Sequence, residues 1–302
     1  STGTFVKNPA MNSLPTGSSG IPSGWTVVND GEPVININNY LTIEAREDGL
    51  TASLSVNACE YCVDGDGDWK TLAAGTATQS INSGHTLSFR GELTPTSSNG
   101  IGRFTINKKC NLKGNCMSML FKDNAANNYS LSGKDFAFYK LFYGCGNIVT
   151  VSENFLPATV VSSACYDNMF FGCTNLTTAP AFPATTLQYR CYRDMFYGCT
   201  SLTTAPALPA TTLASYCYSN MFHGCSSLTT APELPATTLA SYCYYHMFNS
   251  CTKLNYIKML ATDISALNCL ISWVYYVASS GTFVKNSAMT TLPTGTSGIP
   301  SG

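Results

Sequence analysis

Three aspartates at alternate positions are the first residues of this chain whose types and spacing could bind a metal. Asp64, Asp66 and Asp68 lie in the stretch CEYCVDGDGDWKTL and resemble the first half of a calcium-binding loop. An EF-hand loop needs Gly at its sixth position and Glu at its twelfth, where this chain has Trp69 and Gly75. The incomplete pattern favours a β-hairpin whose Asp-Gly turns supply positive φ angles, with Trp69 packed on a sheet. The three aspartates stay as candidate metal ligands, and no cofactor is predicted.

The 14 cysteines raise the question of zinc sites and disulfides. Cys59 and Cys62 form a lone C-x-x-C without a second pair at the spacing of a structural zinc site, so a disulfide or two thiols is expected there. Nine others form two columns at a 26-residue step, namely Cys165, Cys191, Cys217, Cys243, Cys269 and Cys173, Cys199, Cys225, Cys251. Stacked repeats would bring column neighbours within disulfide reach. Parallel, inward-pointing side chains nevertheless favour buried free thiols that act as small hydrophobes.

The sequence shows no catalytic constellation. The histidines His85, His223 and His246 fall in no nucleophile–base pattern, and no glycine-rich phosphate loop occurs. A net charge of −1 gives no basic surface for nucleic acid. No apolar run approaches the roughly 20 residues that span a bilayer. We therefore expect a protein that is not an enzyme, binds no nucleic acid and does not insert into a membrane.

Three nearly identical blocks organise the chain between Cys165 and Tyr242. They begin at Cys165, Cys191 and Cys217 and read CYDNMFFGCTNLTTAPAFPATTLQYR, CYRDMFYGCTSLTTAPALPATTLASY and CYSNMFHGCSSLTTAPELPATTLASY. Their constant period predicts a solenoid in which each repeat stacks on the next. Apolar residues at offsets 0, 4, 5 and 8 of CYxxMFxGC predict two helical turns. The half LTTAPxLPATTL predicts a short parallel strand that ends at its proline.

The part before the repeats alternates apolar and polar residues, as short strands do. An antiparallel β-sandwich (Ig-like) is therefore predicted over 25–112. The clearest period-2 runs lie at 40–45, 50–56, 85–93 and 102–107.

The two ends of the chain carry copies of one segment. Residues 3–24 read GTFVKNPAMNSLPTGSSGIPSG and return as GTFVKNSAMTTLPTGTSGIPSG at 281–302. The duplication predicts that the parent protein is a tandem array of similar units. The length of one unit would be the number of residues from Gly3 to its counterpart Gly281. Residues 1–24 would then close a preceding unit, and 281–302 would close this one. The alternative is a duplicated Pro/Gly/Ser linker.

The repeat skeleton MFxGCxxL, followed by a strand and a proline, resembles the BspA-like class of leucine-rich repeat, whose copies read AFxGCxxL followed by a strand and IP. The resemblance covers roughly 116–280; it departs in Met for Ala, in a 26-residue period where the family's is slightly shorter, and in Thr-rich strands. The predicted fold class is therefore α+β: the N-terminal antiparallel β-sandwich, then a leucine-rich-repeat solenoid of short parallel strands and short helices over 113–280. The resemblance also implies adhesion at a bacterial surface and no catalysis.

Positions at which the repeats differ indicate a candidate binding surface. The blocks 191–216 and 217–242 agree at 21 of 26 positions, and residues free to differ are normally exposed. Tyr and Arg are favoured anchors of recognition surfaces. The candidate ligand-binding residues are Tyr189, Arg190, Arg193, Asp194, Tyr197, Tyr216, His223, Tyr242, Tyr245 and His246.

These observations predict a non-catalytic adhesion or binding module of a bacterial cell-surface or secreted repeat protein, which binds a host protein or glycan through the solenoid surface. The alternative is a structural link of a tandem-repeat stalk or fibre, such as a phage tail fibre, that docks end to end with neighbouring copies. An extracellular or cell-surface location suits both functions. Only 11% of the residues are charged, so Thr, Ser, Asn, Gly and Tyr must cover the surface.

Overall fold

Short strands make up most of the regular structure of this chain. The computed structural model describes residues 3–7, 21, 25–29, 35–290 and 292–301. The strands of this part are β1 (Gly3–Lys7), β2 (Trp25–Asn29), β3 (Leu41–Ala45), β4 (Ala52–Leu54), β5 (Cys59–Val63), β6 (Lys70–Leu72), β7 (Thr86–Arg90), β8 (Phe104–Ile106), β9 (Cys110–Gly114), β10 (Ile148–Val151), β11 (Tyr256–Met259) and β12 (Thr282–Lys285). One α-helix, α1 (Ser118–Phe121), and three 3₁₀ turns at Ile37–Asn39, Lys122–Asn127 and Glu153–Phe155 complete the described elements.

A six-stranded open sheet dominates the first half of the chain. Its strands lie in the order β10-β9-β3-β7-β5-β6, with β10 parallel to β9 and the other neighbours antiparallel. Three two-stranded sheets accompany it: antiparallel β4-β8 and the parallel pairs β1-β2 and β11-β12. The period-2 runs of the sequence did mark strands, since β3, β4, β7 and β8 lie within them.

The predicted fold class is wrong in both halves. The first half is a mixed, open sheet, because β10 from beyond residue 112 adds to it in parallel; it is not a pair of packed antiparallel sheets. The second half lacks the predicted short helices, since the one α-helix among the described residues has four residues and precedes the regular blocks. Between β10 and β11 its strands are also reduced to single bridges, such as Thr178 with Thr204. The predicted sandwich followed by a helix-containing solenoid is therefore not the observed architecture.

The segment CYxxMFxGC forms a run of overlapping β-turns where two helical turns were expected. Every second amide closes a turn on the carbonyl three residues back, as Met169 does on Tyr166 (3.2 Å). The residues between them donate to the next repeat, as Phe170 does to Met195 at 3.0 Å. We call this arrangement the turn ladder. It satisfies the same amides that a helix would satisfy internally, so stacking replaces the helix.

Backbone angles explain why the helix cannot form. Ala164, Asn168 and Gly172 have φ of 53°, 59° and 70°, and corresponding positions of the following repeats are also positive. A positive φ at the third residue of a turn suits type II geometry, whereas a right-handed helix excludes it. The apolar offsets follow a four-residue turn period, which is close enough to 3.6 to have predicted a helix.

Buried rings and thiols fill the space inside the turn ladder. Phe170, Phe196 and Phe222 stack in a column with centroids 5.8 and 5.7 Å apart. A second column of buried tyrosines runs beside it through Tyr192 and Tyr218, 5.8 Å apart. All 14 cysteines are free and buried, which confirms the expectation of thiols.

The second cysteine of each repeat also makes a polar contact with the repeat before it. The Cys199 thiol donates to the Phe170 carbonyl at 3.2 Å, and the Cys225 thiol donates to the Phe196 carbonyl at the same distance. Burial raises the pKa of these thiols well above the ordinary value, so they stay protonated and can donate.

The two copies of the duplicated segment pair with different strands. β1 pairs in parallel with β2, which follows it in the chain. β12 pairs in parallel with β11, which precedes it. Residues 8–20, most of the N-terminal copy, lie outside the described part. The domain boundaries proposed at 24/25, 112/113 and 280/281 stay predictions. No helix within the described residues has the length and apolarity to cross a membrane.

The stacked rings should carry much of the stability of the repeats. We expect Phe196→Ala to lower the free energy of unfolding by about 3–5 kcal/mol, because it removes a fully buried ring between two others. The Tyr218 hydroxyl is buried without a hydrogen-bond partner, so Tyr218→Phe should leave stability unchanged or raise it by up to about 2 kcal/mol. Urea unfolding measures both. A loss in Tyr218→Phe as large as that in Phe196→Ala would contradict this packing.

Candidate binding surface

The turn ladder decides which side chains face outward. Counted from the first cysteine of a repeat, offsets 0, 1, 4 and 5 are buried, as Cys191, Tyr192, Met195 and Phe196 show. Offsets −2, −1 and 6 lie on the outside. Offsets 2 and 3 lie at the boundary: Arg193 and Asp194 are partly exposed there, whereas Asp167 is buried. The ten candidate residues occupy these outer and boundary offsets, so each repeat adds one row to the same surface.

One column of outer rings stacks face to face at offset 6. Tyr143, Phe171, Tyr197 and His223 follow each other with centroids 4.6, 4.6 and 4.3 Å apart and planes within 10° of parallel. Such spacing is at the near end of the range for aromatic pairs. The rings hold each other in place, and their faces are covered by their neighbours.

A second column runs beside the first and carries a cation. The Tyr216 and Tyr242 rings are 4.5 Å apart and nearly parallel, and the Tyr189 ring meets Tyr216 edge-on at 5.9 Å. The Arg190 guanidinium lies 4.8 Å from the centre of the Tyr189 ring and 5.5 Å from that of Tyr216, as in cation–π contacts.

Two residues of the repeat that begins at Cys243 join the columns. The Tyr245 ring lies 5.8 Å from Tyr242 and 4.0 Å from His246, and His246 stacks on His223 at 6.2 Å. The contacts are therefore continuous from one column to the other. We call this surface the aromatic edge; its members are Tyr143, Phe171, Tyr189, Arg190, Tyr197, Tyr216, His223, Tyr242, Tyr245 and His246.

Two candidate residues belong to an ion-pair cluster beside the aromatic edge. The Arg193 guanidinium lies 3.1 Å from the Asp167 carboxylate and 3.2 Å from that of Asp194. The Asp167 side chain is only 2% exposed. Burial raises the pKa of Asp167 to about 6, although Arg193 acts in the opposite direction. Arg193 and Asp194 therefore hold the repeats together, and this engagement limits what they can offer a ligand.

Two polar atoms of the aromatic edge have no hydrogen-bond partner among the described residues. They are the Arg190 Nε and the His223 Nδ1, both shielded from solvent. Burial, together with the neighbouring His246, lowers the pKa of His223, and burial lowers that of His246. Both imidazoles are therefore neutral at pH 7. Shielded polar atoms without partners are uncommon in proteins.

The aspartates proposed as calcium ligands are not brought together. The Asp64 carboxylate contacts His85 Nδ1 at 2.5 Å and accepts from the Thr86 amide at 2.8 Å, whereas Asp66 accepts from the Asp68 amide at 3.0 Å. The stretch forms the expected hairpin of β5 and β6. Within the described ranges, no cluster of three or more His, Cys, Asp or Glu side chains is placed to hold a metal ion.

The Trp69 ring packs as predicted for the hairpin. It lies 5.0 Å from the Tyr40 ring, and the Arg90 guanidinium sits over it at 3.9 Å. Arg90 in turn pairs with Glu60 on β5 at 2.6 Å, which ties the hairpin to the sheet.

Three contributors to this surface were missed in the sequence, although each left a signal. Phe171 and Tyr143 stand at the offset of Tyr197, and an aromatic residue at one offset in successive repeats predicts a stack. Asp167 occupies the offset of Arg193 in the preceding repeat, and opposite charges at one offset predict a pair between repeats. Comparing only two blocks hid both signals.

Comparison with family models, curated proteins and solved structures found no match to this chain. The resemblance to BspA-like leucine-rich repeats therefore stays a hypothesis.

The ion-pair cluster should make stability depend on pH. The folded pKa of Asp167, about 6, lies above its ordinary value of 3.8, so the folded state binds this proton more tightly. The contribution of Asp167 to stability therefore falls as the pH rises from about 4 to 6. Arg193→Met removes the cation that offsets this loss. We expect it to cost about 2–3 kcal/mol at pH 7.5 and under about 1 kcal/mol at pH 4.5.

Urea unfolding at both pH values measures this difference. The control is Arg193→Met in an Asp167→Asn background, where the difference in cost between pH 4.5 and pH 7.5 should become smaller, because only Asp194, whose pKa burial also raises, still pairs with Arg193. An equal cost of Arg193→Met at the two pH values in the otherwise native chain would show that Asp167 is not the partner that matters.

Proposed function

We propose that this chain is a non-catalytic binding module of a bacterial cell-surface or secreted repeat protein, and that it binds a partner protein through the aromatic edge. The single observation that carries the proposal is the continuous contact of ten outer residues from successive repeats, without a break between the columns. The repeats keep the same residues at their buried offsets and place different polar and aromatic groups on this one surface. Constant buried residues keep the repeats stacked, while the variable outer residues can be adapted to a partner, as in other recognition surfaces.

Rigidity supports a binding role for the aromatic edge. Rings that stack at 4.3–4.6 Å are fixed before a partner arrives, so little side-chain entropy is lost on binding. Tyrosines of this kind are the anchors of many recognition surfaces. The tyrosine hydroxyl groups supply polar groups among them. The surface therefore combines apolar area with directed hydrogen bonds.

The orientation of the rings favours a protein partner over a glycan. Most ring faces in both columns are covered by the next ring, so ring edges are what the columns leave for a partner. A sugar ring that packs on an aromatic side chain needs a free face. Peptide groups and polar side chains, in contrast, can contact ring edges and pair with tyrosine hydroxyl groups. A glycan is the other outcome that a binding test must distinguish.

The proposal predicts that binding depends on the centre of the aromatic edge. The chain should be tested by surface plasmon resonance against host matrix proteins, mucins and bacterial glycans. Tyr216→Ala should weaken a protein hit at least about 30-fold, since a central anchor contributes about 2 kcal/mol or more. Tyr129→Ala is the matched control, because Tyr129 is 52% exposed and lies outside the aromatic edge. The affinity of the Tyr129→Ala chain for the same protein should stay within about twofold of the native value.

Three outcomes would overturn this proposal. A hit weakened equally by Tyr129→Ala and Tyr216→Ala would place the contact elsewhere. A glycan hit that needs Tyr216 would replace the protein partner with a glycan. Silence across the array would remove the basis for a recognition role.

One observation favours the second candidate function, a structural link of a stalk or fibre. The duplicated strands β1 and β12 each pair with a different neighbour, as expected of a segment that joins successive units. The two functions are compatible, because a linked array would repeat the aromatic edge and add avidity.

A further inference from the structure

We infer that β12 has a second edge that accepts β2 of another copy of this chain, so that copies join head to tail by strand pairing. This inference does not depend on the aromatic edge or on its partner. It concerns the residues Thr282–Lys285 and Trp25–Asn29, which in one chain pair with different strands.

One short sequence pairs with two different partners in this chain. The letters TFVK form residues 4–7 of β1 and the whole of β12. As β1, they pair in parallel with β2, the strand that follows, in the register Thr4 with Thr26. As β12, they pair in parallel with β11, the strand that precedes, in the register Thr282 with Tyr256. Each copy therefore shows one of the two pairings of which this sequence is capable.

The partner from the preceding repeat and the partner from the following repeat lie on opposite edges of a strand. Thr178 bridges Thr150 of the preceding repeat and also Thr204 of the following one, which is possible only if the two partners lie on its two sides. By the same geometry, the edge of β12 opposite to β11 corresponds to the edge that β1 uses for β2.

Two backbone amides of β12 face the edge opposite to β11. The Thr282 amide donates to the Asn255 carbonyl at 2.7 Å, so the backbone groups of Thr282 and Val284 face β11. Because successive residues of a strand face opposite edges, the amides of Phe283 and Lys285 face away from β11. In the described part of the chain no strand pairs with them, since β11 and β12 form a sheet of two.

The first pairing of β12 is fixed, so the second edge is the one available. A Cβ atom at Gly281 would lie 2.3 Å from the Asn255 carbonyl oxygen, so only glycine permits this approach at the start of β12. The Phe283 ring contacts Trp273 edge-on at 6.1 Å. This contact anchors β12 to the last turns of the turn ladder, which begin at Cys269. β12 therefore stays on β11 while its outer edge accepts another strand.

The same end of the repeats exposes apolar side chains. Leu267, Ile271 and Tyr276 of the last turn ladder are 62%, 37% and 63% exposed. At the corresponding offsets of the preceding repeat stand Ser241, Tyr245 and Ser250. The last repeat thus has larger apolar groups at two of the three positions. The C-terminal segment already contacts the backbone of these turns, since the Val274 amide donates to the Thr296 carbonyl and the Trp273 Nε1 donates to the Gly298 carbonyl at 2.9 Å, but it leaves the three side chains exposed.

β1 is the competitor of this association. Within one chain, β1 already covers the edge of β2 that β12 of another copy would use, and it is favoured because it is tethered. Release of β1 exposes the edge, and the incoming TFVK strand makes the same backbone contacts. The contact joins different surfaces of two copies, so each copy keeps one free end to which another copy can be added.

The test uses matched substitutions in the full-length chain. Lys7 and Lys285 are equivalent positions of the duplicated segment. Lys7→Pro removes the amide that corresponds to the outward amide of Lys285, and so should release β2 from β1. Light scattering after size exclusion should then show a weight-average mass that rises with concentration to at least twice that of one chain. Lys7→Ala keeps the amide and should behave like the native chain.

The second substitution identifies the acceptor strand. In the Lys7→Pro chain, adding Lys285→Pro should restore the mass of one chain, whereas adding Lys285→Ala should leave the assembly intact. A peptide of residues 1–24, which carries β1, should also dissolve the Lys7→Pro assembly when present in excess, and a scrambled peptide should not. The peptide needs no change in β12, so it tests the contact even if Lys285→Pro perturbs the fold.

Two results would overturn the inference. One is a Lys7→Pro chain that keeps the mass of one chain at all concentrations. The other is an assembly that survives both Lys285→Pro and the peptide of residues 1–24.

Discussion

The need to satisfy backbone amides between neighbouring repeats is the constraint on which the second half of this structure depends. In the turn ladder, every second amide closes a turn within its own repeat, while the ones between donate to the next repeat, as Phe170 does to Met195. A repeat without its neighbour would leave these amides unpaired away from water, which is costly. The period of the blocks therefore has to be kept from one repeat to the next.

The regular step has two consequences, one inside the repeats and one outside. Inside, rings at equal offsets stack, and each thiol at the second cysteine donates to the carbonyl of the preceding repeat, as Cys225 does to Phe196. Outside, residues at equal offsets stack in the same way, as Tyr197 and His223 do at 4.3 Å. The aromatic edge is thus a product of the same spacing that builds the core, and each further repeat would extend it.

The sequence predicted the parts of this structure that depend on local chemistry. Alternation marked β3 and β7, and Asp-Gly turns marked the hairpin at Asp64. Unequal positions of the repeats were a less sure guide to exposure, since Tyr197 and His223 are partly exposed but Ser219 is buried. The helix was wrong because a turn period of four residues and a helical period of 3.6 give nearly the same apolar offsets. The sandwich was wrong because β10 comes from a distant segment, which no local pattern reveals. The partner of Arg193 is Asp167 of the preceding repeat, so comparing individual repeats with one another was needed to see it.

The central claim is that stacked turns, and not helices, carry the repeats, and couplings transmitted through hydrogen bonds test it most directly. In a labelled sample, NMR can detect the scalar coupling between an amide nitrogen and the carbonyl carbon that accepts its proton. The structure predicts that the Phe170 amide couples to the Met195 carbonyl and the Tyr166 amide to the Cys191 carbonyl. A coupling from the Phe170 amide to the Tyr166 carbonyl, four residues back as in an α-helix, would contradict it.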